Sequence, residues 1–359
     1  MQQKAKEYPA TAGFARLRSP RGIEKQIRRA VQAVSRIPRE DVSPAGQWVE
    51  DHARLLLDAA EAQTRQLRFA PKLPAISGTP RLLLIARKAV QTEELTAGEL
   101  VRVFRKETGK EALIQAEIDL LPQALTRALL EELTALLDTC IQEPDLYHQS
   151  QAWAAALVKG QKDHLPCDPA MLGRVLLRLD ETEDADALRR ADELLCQSGM
   201  KASDALQAAQ SQWEQDGLKV RRIIAQLRQI ERLPFDRIAE RLSPVADALR
   251  GDPTYRRMDA DSRAYYRACA CCAAKRFHVP EGDAAKTAVE LTQNKTGVEA
   301  EAGYYLTERP DLIGLAMGKK SSGFARKHRQ GLFLLPCMPP PRCRWSLRFG
   351  SEPLGIPGL

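Results

Sequence analysis

Three cysteines crowd into one short stretch and are the first candidates for metal chemistry. Cys269, Cys271 and Cys272 form a C-x-C-C cluster, and His278 follows six residues after the last of them. A zinc site usually has two separated pairs of ligands that lie on turns. Here the cluster falls inside a pattern that predicts a helix, on which adjacent side chains point in different directions. We therefore interpret the three thiols as small core and boundary residues rather than as metal ligands.

Two pairs of aspartates have the D-x-D spelling with which nucleotide-sugar transferases hold a divalent ion against a diphosphate. They are Asp184 with Asp186, and Asp259 with Asp261. A transferase places such a pair at the end of a strand in an α/β sheet, whereas both pairs here open predicted helices. An aspartate at that place caps the first turn and complements the helix dipole. We interpret both pairs as capping residues.

The remaining polar residues match no pattern for nucleophilic catalysis or phosphate binding. Segment Gly318–Gly323 (GKKSSG) has neither the preceding strand nor the spacing of a phosphate-binding loop. The histidines are far apart in the chain, and none lies in a G-x-S-x-G or H-E-x-x-H pattern. We therefore predict no catalytic, cofactor-binding or metal-binding residue, no cofactor and no small-molecule substrate. The histidines are His52, His148, His164, His278 and His328.

The positive charge of the chain is concentrated at one end. The net charge is +7, and residues 318–359 contain eight Lys or Arg and one Glu, so residues 1–317 sum to zero. This distribution argues against a basic nucleic-acid-binding protein. Salt-dependent binding of nucleic acid through the tail alone is kept as a second alternative.

Helical periodicity dominates the elements that must position these residues. Apolar residues recur at three- and four-residue spacing in most segments, aromatic residues make up only 5%, and strand-like alternation is almost absent. The pattern predicts an all-α array of about a dozen helices with disordered termini. We expect a flexible N-terminus (1–20), helical subdomains (21–160 and 161–317) and a basic, proline-rich, disordered tail (318–359).

Local signals refine this prediction. Ser43-Pro44 is typical of an N-cap followed by the first residue of a helix. Thr96 to Glu99 has the form of a capping box. Residues 69–80 are rich in proline and glycine and predict a connector, and residues 143–151 predict a proline-containing loop.

The sequence also bears on location. No run of eighteen apolar residues occurs and the N-terminus lacks the apolar core of a signal peptide, so we expect a cytoplasmic chain with reduced cysteines. A basic run from Lys319 to Arg329 precedes the apolar residues Leu332–Leu335, as on the cytosolic flank of a membrane helix. The inner face of the cell membrane is therefore the alternative location. The unpatterned tail that follows suggests a frameshifted remnant.

The predicted ordered region resembles the N-terminal cytosolic region of bacterial cyclic β-1,2-glucan synthases, which are very large membrane glycosyltransferases. The resemblance covers roughly residues 25–315, and the order and spacing of its motifs carry it. The fourth and strongest stretch includes DPTYRRMD and then SRAYYR, and Gly303–Leu306 (GYYL) follows it. The stretches are Trp48–Asp58 (WVEDHARLLLD), Leu73–Arg87 (LPAISGTPRLLLIAR), Glu117–Leu130 (EIDLLPQALTRALL) and Ile223–Arg267.

The resemblance implies a non-catalytic helical region, truncated before the first membrane helix, that scaffolds a UDP-glucose-dependent transferase domain. None of the family's catalytic residues matches a position in this chain, so we expect it to be inactive alone. The expected partners are the transferase and membrane domains of the same system. Tyr265, Tyr266, Tyr304 and Tyr305 are available as contacts, although core packing is the better explanation for each of them. The first alternative is a free-standing helical adaptor that binds another protein.

Overall fold

A computed structural model describes residues 13–109, 111–161, 164–166, 168–181, 184–197 and 202–319. Nearly all regular structure within these ranges is helical, which confirms the predicted all-α fold class. The chain divides into two compact units. The first comprises residues 1–107 and 120–233, and the second comprises residues 108–119 and 234–359.

The predicted boundary at residue 160 lies inside the first unit. It falls between the helices Leu121–Val158 and Pro169–Glu181, which both belong to this unit. The helix Leu121–Val158 packs against both Pro169–Glu181 and Ala202–Arg232, so the helices on either side of residue 160 lie in one unit. Loop composition alone does not distinguish such a connection from a linker between domains.

The first unit contains three short strands and most of the longer helices. A 3₁₀ turn at Arg39–Asp41 separates α1 from α2. Its elements are β1 (Phe14–Arg16), α1 (Ile23–Val34), α2 (Pro44–Asp51), α3 (Ala53–Leu67), β2 (Lys72–Ile76), β3 (Thr79–Pro80), α4 (Arg81–Ala89) and α5 (Ala97–Thr108), followed by α7 (Leu121–Val158), α8 (Pro169–Glu181), α9 (Ala185–Gln197) and α10 (Ala202–Arg232).

Helix α7 is the centre of this unit. Its 38 residues contact α1, α3, α4, α8 and α10, and its leucines are buried on several sides. The loop predicted at 143–151 is therefore wrong, because α7 continues through it with Pro144 buried inside the helix. A proline there removes one hydrogen bond and costs about 3 kcal/mol. Packing on both sides of the helix offsets that cost.

Residues 69–80 form a small hairpin rather than an irregular connector. Strand β2 pairs antiparallel with β1, where Arg16 lies opposite Lys72, and with β3 on its other side. The hairpin turn contains Ser77 (φ 50°) and Gly78 (φ 78°), and two positive φ angles are typical of a type I′ turn.

The predicted flexible N-terminus is ordered over the part that the structure describes. Residues 13–20 include β1, and Leu17 is completely buried. Burial of this leucine and pairing with β2 account for the order, which composition alone did not indicate. Residues 1–12 and 320–359 lie outside the described residues, and so does most of the tail prediction.

The second unit is built from shorter helices around an alanine-rich core. Small side chains from α14 and α15, including Ala270 and Ala284, let these helices approach closely. A 3₁₀ turn at Gly297–Ala300 and a π-helical turn at Tyr304–Glu308 precede the last helix. The helices are α6 (Gln115–Asp119), α11 (Phe235–Leu242), α12 (Pro244–Leu249), α13 (Pro253–Arg257), α14 (Ala260–Phe277), α15 (Glu281–Glu290) and α16 (Pro310–Ala316).

Among the described helices, none combines the length and the apolar character that crossing a lipid bilayer requires.

Candidate functional site around Glu240

The cysteine cluster lies in α14, as the sequence pattern predicts. Cys269 and Cys271 are buried in the core of the second unit, and Cys272 is partly exposed. Burial raises the pKa of the Cys271 thiol well above its ordinary value, which keeps the thiol protonated. His278 is exposed and ends the helix in a left-handed conformation (φ 53°). No group of three His, Cys, Asp or Glu that could hold a metal occurs in the described part of the chain.

Both D-x-D pairs lie at helix N-termini and the first aspartate of each pair is a cap, as predicted. The Asp184 carboxylate accepts hydrogen bonds from the backbone N–H groups of Asp186 (3.0 Å) and Ala187 (3.1 Å). The Asp259 carboxylate accepts one from Ser262 N–H (2.8 Å), and this bond holds the pKa of Asp259 below its ordinary value. These carboxylates therefore satisfy backbone donors that the helices leave open.

A group of charged side chains in the second unit surrounds Glu240 on α11. Its Oε2 atom accepts hydrogen bonds from Arg267 Nη1 (2.6 Å) and from the Tyr255 hydroxyl (3.0 Å). The guanidinium groups of Arg250 and Arg263 lie 3.9 Å and 4.0 Å from its other oxygen. One carboxylate is thus shared by three cations and a phenol.

The centre of this cluster is largely withdrawn from water. The side chain of Arg267 is 5% exposed and that of Glu240 is 14% exposed, whereas those of Arg250 and Arg263 are 41% and 31% exposed. Tyr255 is completely buried, and burial is the main cause that raises its pKa to about 12. The Arg263 guanidinium also lies over the Tyr255 ring, 5.8 Å from its centroid. Buried charges of this kind persist only when each has close partners.

Local sequence explains how these groups meet. The Asp252 carboxylate caps α13 through Thr254 N–H (2.8 Å) and accepts a hydrogen bond from Ala302 N–H (2.9 Å). This fixes the start of the short helix that carries Tyr255. Arg263 and Arg267 are four residues apart on α14 and therefore project from one face of it.

The chemistry of the Glu240 cluster is that of a cross-link. Both carboxylate oxygens of Glu240 face guanidinium groups, so the side chain is engaged in holding its neighbours together. The bonds join α11, α13 and α14, and they use the polar residues of the strongest motif in the sequence. The sequence motifs include Tyr255, Arg263 and Arg267, but the sequence analysis did not single out Glu240. A charged residue on an amphipathic helix is ordinarily a surface residue, so Glu240 gave no signal of its own.

The four tyrosines considered as contact residues differ in exposure. Tyr265 is 45% exposed, Tyr305 is 2% exposed, and Tyr266 and Tyr304 lie between these extremes. The rings of Tyr304 and Tyr305 meet edge to face at 5.2 Å. Packing therefore accounts for Tyr305, while Tyr265 is the one open to solvent.

A second buried polar cluster lies in the first unit. Glu143, which is completely buried on α7, accepts hydrogen bonds from the Ser43 hydroxyl and from Ser43 N–H (3.3 Å). Burial raises the pKa of Glu143, although Ser43 and the Arg174 charge oppose that shift. The Arg174 guanidinium lies 4.9 Å from the centroid of the Trp213 ring. Ser43 also caps α2 through Gly46 N–H, so one residue serves both the cap and the buried carboxylate.

Comparison of the chain with models of known protein families and with curated proteins finds no match.

Proposed function

We propose that this chain is a non-catalytic helical region of a cyclic β-1,2-glucan synthase-like protein and that it scaffolds a transferase domain. The observation that supports the proposal is the structural role of the polar residues in the strongest motif. The polar side chains of its tyrosine and arginine residues bond to Glu240 and to one another inside the second unit. Residues used in this way specify a helical framework, which is what the resemblance implies.

The other resembling stretches also serve the fold. Trp48–Asp58 covers the end of α2 and the first part of α3, and Leu73–Arg87 covers most of the hairpin and of α4. In the third stretch, the buried Glu117 accepts a hydrogen bond from Ile114 N–H (3.0 Å) at the start of α6. These stretches supply caps, a turn and core positions, which fits a scaffolding role better than a catalytic one.

The remaining hypotheses stay predictions. Binding of nucleic acid depends on the basic tail, of which residues 320–359 lie outside the described part. A free-standing adaptor would need a partner that binds the isolated chain. Location at the inner face of a membrane follows from the proposed family and is part of the same proposal.

A chimeric enzyme tests the proposal. Residues 13–319 would replace the corresponding N-terminal region of a functional cyclic β-1,2-glucan synthase, and cyclic glucan would be measured in a strain without its own synthase. We expect glucan to accumulate with the chimera and not with a synthase that lacks the region. The matched control carries Glu240→Gln, which weakens the framework and should lower the yield.

The result that would contradict the proposal is equally specific. A stable, membrane-inserted chimera that makes no glucan would argue against a shared scaffold role. Transfer of glucose from UDP-glucose by the purified chain alone would contradict the non-catalytic part. Protein abundance must be measured in each case, so that loss of product is separated from loss of protein.

A further inference from the structure

A group of exposed basic residues lies at one place on the first unit. Residues 13–25 and 65–72 contain seven Arg or Lys and a single Glu, a local charge of +6 (seven minus one). All seven cations are exposed. We call them, together with Phe14 and Phe69, the basic–aromatic patch. The cations are Arg16, Arg18, Arg21, Lys25, Arg65, Arg68 and Lys72.

Contacts between the two segments show that the patch is continuous. The Thr64 hydroxyl lies 3.2 Å from the Ser19 hydroxyl and 3.1 Å from a carboxylate oxygen of Glu24. These contacts bring the chain around residues 18–25 against the end of α3, where Arg65 lies in the last turn and Arg68 follows the helix. In the adjoining sheet, Arg16 on β1 lies directly opposite Lys72 on β2.

The cations of the patch differ from those elsewhere on this unit. Within the described residues, none of the seven forms an ion pair, whereas Arg28, Arg39 and Arg102 are each paired with a carboxylate. Like charges opposite each other on neighbouring strands, such as Arg16 and Lys72, repel. A polyanionic partner would relieve that repulsion.

Two phenylalanines give the patch an apolar component. Phe69 is 83% exposed and Phe14 is 70% exposed, and both are exceptions to the burial of large apolar side chains in this chain. Phe14 is two residues from Arg16 on the exposed face of β1, and Phe69 follows Arg68. The Arg68 guanidinium lies 5.3 Å from the centroid of the Phe69 ring. Single exposed apolar residues are ordinary, but here two aromatic rings lie among unpaired cations.

We propose that the basic–aromatic patch docks on the surface of an anionic lipid bilayer. Lysine and arginine are attracted to anionic headgroups, while phenylalanine rings enter the boundary between headgroups and acyl chains. A single-stranded nucleic acid is the other polyanion that basic and aromatic residues bind. Both phenylalanine rings are more than two thirds exposed, as insertion among lipid headgroups requires, and this favours the bilayer. The inference does not depend on the proposed scaffold function.

Vesicle sedimentation with the full chain tests the inference. Vesicles of phosphatidylcholine with about a third phosphatidylglycerol would be compared with pure phosphatidylcholine, at low and high salt. We expect binding to the anionic vesicles, weakened by salt. Arg16→Gln, Arg68→Gln and Lys72→Gln together should lower affinity about a hundredfold, at about fivefold for each charge. Phe14→Ser with Phe69→Ser should lower affinity about tenfold.

Matched controls remove the same groups outside the patch. Arg39→Gln, Arg54→Gln and Arg102→Gln remove three exposed arginines of the same unit, and Leu218→Ser removes an apolar side chain that is 60% exposed. These controls should bind vesicles as the unaltered chain does. Circular dichroism should show that all variants are folded, because every altered side chain is on the surface.

Several outcomes would overturn the inference. They are absence of binding to anionic vesicles, equal binding to neutral ones, and anionic binding that the patch substitutions leave unchanged, which would place the interaction in the basic tail. Binding of a single-stranded oligonucleotide that the patch substitutions weaken, without vesicle binding, would assign the patch to nucleic acid instead.

Discussion

Replacing Glu240 with glutamine tests the cross-link in the second unit. The substitution keeps an oxygen that can accept the Tyr255 hydrogen bond, but it removes the negative charge that faces Arg267. The Arg267 side chain is 5% exposed, so its charge would remain largely out of water and would lose its closest counter-charge. Arg250 and Arg263 would also lose their shared carboxylate.

The size of the effect follows from this geometry. Removal of one partner from a fully buried ion pair costs about 3 to 5 kcal/mol. Glu240 retains 14% exposure of its side chain, and water can reach part of the cluster, so we expect a loss of about 2 to 4 kcal/mol. A cost of about 3 kcal/mol corresponds to roughly a 150-fold change in an opening equilibrium.

Hydrogen exchange followed by mass spectrometry is the appropriate assay. The chain has two compact units, for which a single unfolding midpoint does not define one free energy. Amide exchange in α11, α13 and α14 reports opening of the second unit by itself. We expect these helices to exchange about 30- to 700-fold faster in the Glu240→Gln variant, with α7 unchanged.

Two comparisons make the test decisive. Glu290→Gln removes an exposed carboxylate that lies 3.8 Å from Lys286, and it should change exchange by less than about threefold. Adding Arg267→Met to Glu240→Gln should restore part of the protection, because the unpaired buried charge is then gone. If Glu240→Gln behaves like Glu290→Gln, the cluster contributes little, and the argument from burial is wrong.

Three further predictions concern other parts of the chain. Ser43→Ala should destabilise the first unit by about 2 to 3 kcal/mol in urea unfolding followed by tryptophan fluorescence, because a helix cap and a bond to a buried carboxylate are both lost. A destabilisation of well under 1 kcal/mol in Ser43→Ala would refute this account. Because burial raises the pKa of Glu143, the folded state holds its proton more tightly than the unfolded state does. The stability that this shift contributes is complete below the ordinary pKa of 4.5 and is lost as pH rises through the higher folded value. The urea midpoint of Glu143→Gln should therefore change less with pH in this range. An unchanged slope of the midpoint against pH would assign this pH dependence to other groups. Gly314→Ala should destabilise the second unit by about 1 to 3 kcal/mol in hydrogen exchange, because a Cβ atom would overlap the Phe277 ring, whereas Gly98→Ala, where a Cβ atom meets open space, should raise stability by about 0.5 kcal/mol. Equal effects of the two glycine substitutions would show that the Phe277 ring moves freely aside.

Helical periodicity and capping were readable from the sequence because they depend on neighbours in the chain. Ser43 caps α2 through Gly46 N–H, and Thr96 accepts a hydrogen bond from Glu99 N–H (3.2 Å), as their spacing predicts. Both caps involve residues three positions apart, and the periodicity involves spacings of three and four residues. The elements predicted incorrectly depend instead on distant contacts.

Pro144 and the hairpin illustrate that difference. A proline usually ends a helix, and only the packing of other helices around α7 lets it continue. The first strand of the hairpin, β2, also pairs with β1, which lies more than fifty residues earlier. Likewise, Glu240 and Arg267 are 27 positions apart, and nothing local marks them as partners. Some residues of the candidate site could therefore be identified as parts of a sequence motif, but their arrangement around Glu240 could not be predicted.

The placement of residues 108–119 has a consequence for how the chain is made. These residues belong to the second unit, although they lie within the sequence of the first. During synthesis they leave the ribosome more than a hundred residues before α11 to α16, which are the helices of the same unit. They cannot pack in that unit until those helices have been synthesised. The first unit, in turn, can close around α7 with this segment left out. A nascent chain that stops near residue 233 would thus carry one exposed stretch with no unit to join, a ready target for chaperones or proteases.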